Sequence, residues 1–345
     1  MLSVMAGNKK LNHYCIETHN LLKRFPLIKG YRDFLLHPLQ KREVVALQGV
    51  NLQIKPGELF GLLGTNGAGK TTLLKILCTL VLPTSGRALV QGLDVTQAGQ
   101  QIRRLIGYVI SDERSFYWRL TGRQNLQFFA QLNNIPKPIA AKKIKALLDA
   151  VGLSSPDADR LFKDYSTGMR KKLAIARGLL TDPEIIIMDE PANGLDPLAA
   201  NRLRTLIREL LVDQEHKTVV LATHDLHEAE TLCDRIAILD QGQVKVTGTI
   251  ADIKKANNPA KHYLIRVENG DALLNSLKEW LPIAATKHVN GMAVELEVTE
   301  QGKPITDIIE IIIGVGGKVS ACYEKETRLA EVFHNLNIEY SEFWS

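Results

Sequence analysis

Eight residues near the start of the chain leave little freedom in how it can fold. Gly64-Thr65-Asn66-Gly67-Ala68-Gly69-Lys70-Thr71 fits the pattern G-x-x-x-x-G-K-[ST] at every position. A short apolar run, Leu59–Leu63, precedes it, and residues 69–82 carry apolar residues at helical spacing, with Pro83 as a stop. The reading is a buried strand, a tight loop and a helix. In such a loop the glycines let successive backbone N–H groups wrap a β-phosphate, and the helix N-terminus adds a favourable dipole. Lys70 would neutralise charge on the β- and γ-phosphates, the Thr71 hydroxyl suits Mg²⁺, and Thr65, Asn66, Ala68 and Thr72 complete the cradle. A chance glycine-rich turn is the bland alternative, and the flanking strand and helix argue against it.

The same alternation continues downstream. Ile106–Ile110 and residues 185–188, 219–222 and 236–239 read as buried strands, separated by helical stretches such as Gly122–Leu132 and 198–212. Alternating strands and helices predict an α/β core with a mainly parallel sheet. Residues 113–180 show little strand signal and read as a helical subdomain inserted in that core. After Gly248 the pattern changes to strand (263–267), helix (272–280), a strand pair around Asn290-Gly291, helix (305–313), strand (318–323) and helix (329–336). That order fits a small ferredoxin-like α+β domain. A chain of 345 residues exceeds one ordinary domain. The expected organisation is a tail over 1–13, a main domain over 14–253, a polar linker over 254–261 and an accessory α+β domain over 262–345.

Composition narrows the class. With 45% hydrophobic and 23% charged residues, the chain is neither disordered, collagen-like nor a disulfide scaffold. Apolar runs such as 185–188 and 311–315 fall far short of the ~20 residues that cross a bilayer, and no N-terminal signal pattern is present, so the chain is expected to stay in the cytoplasm. Cys15, Cys78, Cys233 and Cys322 are scattered with no C-x-x-C pair, and are expected to be reduced and mostly buried. The net charge of +5 is uneven: residues 260–345 hold 8 basic against 13 acidic residues, leaving the earlier part at +10. Something anionic should meet that part, and charge alone cannot choose among nucleotide phosphates, lipid head groups and nucleic acid.

Two further segments suit phosphate chemistry. The strand at 185–188 ends in Asp189-Glu190, placing two carboxylates at the C-terminal edge of a parallel sheet, where such folds bind ligands. Asp189 would hold Mg²⁺ through water, and Glu190 would polarise the water that attacks a γ-phosphate. His224, after the run 219–223, fits a γ-phosphate contact from a strand tip. His224-Asp225-Leu226-His227-Glu228 lacks the H-E-x-x-H order of a zinc site, and His227 and Glu228 are expected to be solvated helix residues.

With these residues in place, the chain resembles an ABC-type ATPase, the nucleotide-binding subunit of an ABC transporter, over about residues 14–250. Tyr165-Ser166-Thr167-Gly168-Met169 is similar to the family signature L-S-G-G-Q, Asn193-Gly194-Leu195-Asp196 resembles its D-loop, and His224 stands where its switch histidine falls. The resemblance implies a P-loop NTPase core that binds ATP with Mg²⁺. It also implies that Ser166 and the Gly168 backbone contact the γ-phosphate held by an opposite subunit, in a head-to-tail dimer around two ATPs. Departures stand beside it. Ser111 replaces the family's metal-contacting glutamine, with Asp112 and Glu113 as other candidates for that place. Thr167 and Met169 replace the first glycine and the glutamine of the signature. Residues 22–46 look like an insertion where the base-stacking aromatic usually lies. Phe25 fits that position best, ahead of Tyr31 and Phe34, and the insertion's Lys and Arg cluster reads more readily as a solvated face than as a lipid contact. Arg114 to Leu120, with Phe116, Tyr117 and Trp118, is either a partner-binding groove of the kind the family offers its membrane subunit or internal packing.

The function expected is therefore an ATP-hydrolysing transporter subunit on the cytoplasmic face of the membrane. It would be a homodimer or heterodimer of ATPase subunits paired with a separate integral membrane permease, with no nucleic-acid partner. One ATPase domain followed by a small acidic domain resembles the daunorubicin-resistance and sodium-efflux ATPases, which favours export. The alternatives are a soluble non-transport ABC ATPase acting on ribosomes or DNA, and a nucleotide-gated module without effective hydrolysis. A single phosphate loop and the lack of sustained heptads count against the first, and Glu190 and His224 against the second.

Overall fold

The chain divides into two compact units, Met1–Ile250 and Ala251–Ser345. The computed structural model describes residues 14–26, 43–110, 115–257, 261–281, 283–289, 293–300, 303–325, 328–336 and 338. The expected tail at 1–13 and most of the insertion at 22–46 lie outside them.

In the first unit, β1 (Ile16–Pro26) and β2 (Glu43–Ile54) pair antiparallel. β3 (Leu59–Leu63) follows, buried along its whole length, then the phosphate loop and helix α1 (Lys70–Leu77). Next come β4 (Ser85–Val90), β5 (Leu93–Asp94), α2 (Gly99–Leu105) and β6 (Ile106–Ile110). A helical stretch holds α3 (Gly122–Leu132), α4 (Lys137–Ala150), α5 (Ser155–Ala158) and α6 (Thr167–Gly178). β7 (Ile185–Asp189), α7 (Pro197–Leu206), β8 (Thr218–Thr223), α8 (Leu226–Leu232), β9 (Arg235–Asp240) and β10 (Gln243–Gly248) complete it.

Strands β10-β9-β3-β8-β7-β6 form one sheet, parallel from β9 to β6 with β10 added antiparallel. This is the α/β core expected from the sequence. A second sheet, β2-β1-β4-β5, is antiparallel throughout. Its strands alternate buried and exposed positions irregularly, with register shifts in β1, so no clean period marks them in the sequence. The apolar face of α1 (Leu73, Leu74, Ile76, Leu77) joins both sheets in one core with Ile16, Leu21, Ile187 and Val220. Burial of this kind, at about 25 cal/mol per Å² of apolar surface, holds the loop-bearing helix in place.

Some boundaries differ from the sequence reading. The helix expected over 69–82 ends at Leu77, because Thr79 turns left-handed (φ 59°) and the chain leaves the helix there. The stretch 198–212 is α-helical only to Leu206, and Ile207–Gln214 winds as a π-helix. The polar stretch taken as the linker is helical at 254–257, as the end of α9 (Ile250–Asn257), while 258–260 lie outside the described residues.

In the helical stretch, Thr121 and Gln124 form a reciprocal capping box that starts α3. Phe162 is fully buried, stacks on Phe116 at 4.8 Å between ring centres, and lies under Trp118 and Tyr165. The second unit runs β11 (His262–Glu268), α10 (Gly270–Trp280), β12 (Ile283–His288), β13 (Val294–Thr299), α11 (Ile305–Gly314), β14 (Lys318–Lys325) and α12 (Leu329–Asn335). Its antiparallel sheet has the order β12-β13-β11-β14, the ferredoxin-like arrangement, and Ile265, Val267, Leu296, Ile308 and Ile312 form its core. Cys15, Cys78 and Cys233 are buried free thiols, and Cys322 is exposed. Among the described residues no helix is long and apolar enough to cross a membrane.

Phe162→Ala removes the ring on which this aromatic cluster packs. It is expected to cost about 3–5 kcal/mol of stability, read as a lower urea midpoint at unchanged slope.

Candidate active site

Strand register assembles the site. Leu63 of β3 lies opposite Thr223 of β8, Asp189 of β7 opposite Ala222, and Ile110 of β6 opposite Asp189. The parallel strands β3, β8 and β7 therefore deliver their next residues, Gly64, His224 and Glu190, to the same edge. Gly64 is required there, because a Cβ on it would strike the carbonyl oxygen of Leu239. Gly69 stands at φ 107° with the Ala46 carbonyl 2.5 Å from where its Cβ would be, a conformation and a closeness only glycine accepts.

Lys70 is buried, and its Nζ donates to the carbonyls of Gly64 (2.7 Å) and Thr65 (3.1 Å), so the ammonium is held inside the loop's own curve. Its Nζ lies 3.9 Å from Glu190 Oε1, and the same oxygen lies 3.0 Å from His224 Nδ1. Asn193 Nδ2 donates to the other Glu190 oxygen at 3.1 Å. Glu190 itself has φ 49°, and its N–H donates to Ala222 O at 2.9 Å. A left-handed glutamate is strained backbone of the kind that gathers at working sites. The Thr71 hydroxyl bonds Asp189, whose carboxyl is pushed up by burial, while burial pulls the Lys70 ammonium down. Two hard oxygen donors, Thr71 and Asp189, side by side at the loop fit a divalent cation such as Mg²⁺.

Ser166, Gly168 and Asp196 are brought together, but apart from the phosphate loop. Ser166 caps α6 by accepting the Met169 N–H at 3.3 Å, and Asp196 caps α7 by accepting the N–H groups of Leu198 and Ala199 at 3.1 and 3.0 Å. All three line one cavity of about 320 Å³, together with Lys172 and Arg202, and none of residues 64–72 lines it. A Cβ on Gly168 would meet nothing within 4 Å, so packing inside this chain gives no reason for a glycine.

Comparison with known proteins agrees with this geometry. Residues 47–193 match the family model described as ABC transporter. An uncharacterized ABC transporter ATP-binding protein of Nostoc sp. is 36% identical over 85% of this chain and 84% of its own length. The chain belongs to the ABC transporter ATP-binding proteins. A daunorubicin resistance ATP-binding protein of Streptomyces coeruleorubidus is 34% identical over 78% of this chain and 82% of its own. A solved ATP-binding cassette, in a dimeric post-hydrolysis state bound to ADP and Pi, superposes with a TM-score of 0.57 at 27% identity, over 68% of this chain and 98% of that one. As a member of this family the chain binds and hydrolyses ATP.

Other expectations for this ABC ATPase meet the structure unevenly. Phe25, next to last in β1, lies opposite Val44, is 37% exposed, and carries the Lys23 ammonium 4.8 Å from its ring centre. Lys23 pairs with Leu47, which lines the space beside Gly69, so Phe25 lies two residues along the ladder, about 7 Å, from a residue that touches the loop. Ser111, Asp112, Glu113 and Arg114, like Tyr31 and Phe34, lie outside the described residues. The aromatic segment divides between its two readings: Phe116 is buried against Phe162, while Tyr117 (50% exposed) and Trp118 (47%) line an open groove with Arg119, Leu120 and Phe128.

Glu228 corrects the sequence reading. His227 is exposed as expected, but Glu228 is 2% exposed, because the short helix α8 turns it inward toward Thr223 and Arg204. Arg204 was marked by no motif, and Asn193 was given no role of its own. Asn193 sits in the D-loop-like segment, and that neighbourhood was the available signal. Gly64→Ala is expected to weaken ATP binding at least tenfold, about 1.4 kcal/mol, in a fluorescent-nucleotide titration of the folded protein.

Proposed function

We propose that this ATPase powers transport across the cytoplasmic membrane, and that it works as a head-to-tail dimer, homomeric or with a sister ATPase, docked on a separate integral membrane permease. The single observation that carries the reading is the split site: Ser166, Gly168 and Asp196 form a surface apart from the chain's own phosphate loop. A second subunit's loop would bring a γ-phosphate to that surface, where the α6 N-terminus suits an anion.

In this reading Lys70 and the loop N–H groups hold the β- and γ-phosphates, and Phe25 stacks on the base. Thr71 and Asp189 would hold Mg²⁺, which supplies neutralisation of phosphate charge when bound, and the Ser111 hydroxyl would contact a metal-bound water in the role of the family's glutamine. Glu190 polarises the attacking water along the line of the breaking bond, and His224 fixes the carboxylate and contacts the γ-phosphate. Closure on ATP and opening after hydrolysis then drive the permease. The groove of Tyr117, Trp118, Leu120 and Phe128, about 400 Å³, suits an apolar permease segment. Similarity to a daunorubicin resistance ATP-binding protein supports export.

Glu190→Gln is expected to lower hydrolysis at least 100-fold, about 2.7 kcal/mol, and to elute as an ATP-bound dimer in Mg·ATP. Purified from detergent-solubilised cells in that state, it should carry a multi-span membrane protein. Ribosomal or DNA-bound proteins in its place would remove the transport reading while leaving the ATPase intact. Gly168→Ala separates stability from assembly. The folded chain should be as stable or up to about 1 kcal/mol more so, while hydrolysis falls because the added methyl faces the partner's nucleotide.

A further inference from the structure

Behind His224 lies a set of groups that the hydrolytic reading leaves unused. Glu228 is 2% and Arg204 8% exposed, and side chains of these types are rarely buried unless paired. Arg204 Nη2 donates to Asp225 Oδ2 at 2.6 Å, and its Nε lies 3.9 Å from Glu228 Oε1. The other Asp225 oxygen accepts the N–H groups of His227 (2.8 Å) and Glu228 (3.1 Å), capping α8. The Thr223 hydroxyl accepts the Asp225 N–H at 3.0 Å and also bonds the Glu228 carboxyl. Both chain neighbours of His224 are thus tied into one polar cluster. A single cavity of about 340 Å³ is lined by Glu190 and His224 together with Arg204 and Glu228.

The helix supplying Arg204, α7, is capped by Asp196, beside the signature surface. Four residues further, on its π-helical continuation, Arg208 donates to Leu232 O at 3.2 Å and Asp234 Oδ1 at 2.8 Å. One helical rod therefore grips α8 at both ends, and α8 begins two residues after His224.

We propose that Arg204 is a positioning residue for ATP hydrolysis: through Asp225 and Glu228 it fixes His224 where Nδ1 meets Glu190 Oε1, and so ties the helix that Asp196 caps to the hydrolytic centre. The proposal rests on the reading of Glu190 and His224 as that centre. A double-mutant cycle tests it, with steady-state Mg·ATP hydrolysis by the full chain as wild type, Arg204→Ala, His224→Ala and the double variant. Loss of Arg204 should lower kcat about tenfold with KM for ATP changed less than about twofold, and should lower kcat by less than about twofold once His224 is absent. Equal losses in both backgrounds, or a loss confined to KM, would overturn the proposal and leave the hydrolytic reading standing. An undiminished kcat in His224→Ala alone would sink that reading and this proposal with it. Asp225→Asn keeps the helix cap but drops the carboxylate that Arg204 grips; it carries the same cycle, with the same criteria, if Arg204→Ala fails to fold.

Discussion

The site depends on the register of three neighbouring parallel strands. β3, β8 and β7 run side by side with Leu63 against Thr223 and Ala222 against Asp189, so Lys70, His224 and Glu190 follow from strand ends in one row. A slip of one residue in any of them would send every side chain to the opposite face of the sheet, into packing shaped for its neighbour. All three are buried nearly throughout, which makes such a slip expensive and the row exact enough for groups that must meet within 3 to 4 Å.

On that rigid edge the structure places conformations and charges that would be unfavourable elsewhere. Glu190 is left-handed, Lys70 is buried with its ammonium on loop carbonyls, and Asp189 sits beside a second carboxylate. Burial works against the charged form of both Lys70 and Asp189, so this edge is poised for a polyanion and a hard cation rather than for water. The α7 helix and its π-helical continuation back this edge through Arg204 and Arg208, linking it to the surface where Ser166 and Asp196 meet.

Much of this was legible in the residues. The octapeptide ending in Lys70-Thr71, the apolar runs of β3, β7 and β8, and the order of strands and helices after Gly248 each carry a local physical signal, and the fold follows them. The antiparallel sheet of β1, β2, β4 and β5 was not legible, because its irregular ladders leave no clean alternation. Glu228 looked solvated because a glutamate next to a histidine on a short helix carries no mark of its burial; only the tertiary approach of Arg204 supplies one. The end of α1 at Leu77 turned on Thr79 adopting a conformation threonine seldom takes, which local propensity argues against.

In the proposed dimer each hydrolytic site combines one subunit's phosphate loop with another's signature residues. Once Glu190→Gln has eluted as a dimer of this chain with itself, the most direct measurement mixes two variants, each inactive alone: Lys70→Ala, which spoils the loop, and Ser166→Arg, which spoils the signature. A mixed dimer of the two keeps one site built wholly from intact parts, so equal mixing should restore about a quarter of wild-type hydrolysis, from half the dimers with half their sites. A site completed within a single chain would give no recovery at any mixing ratio, and that result would contradict the account.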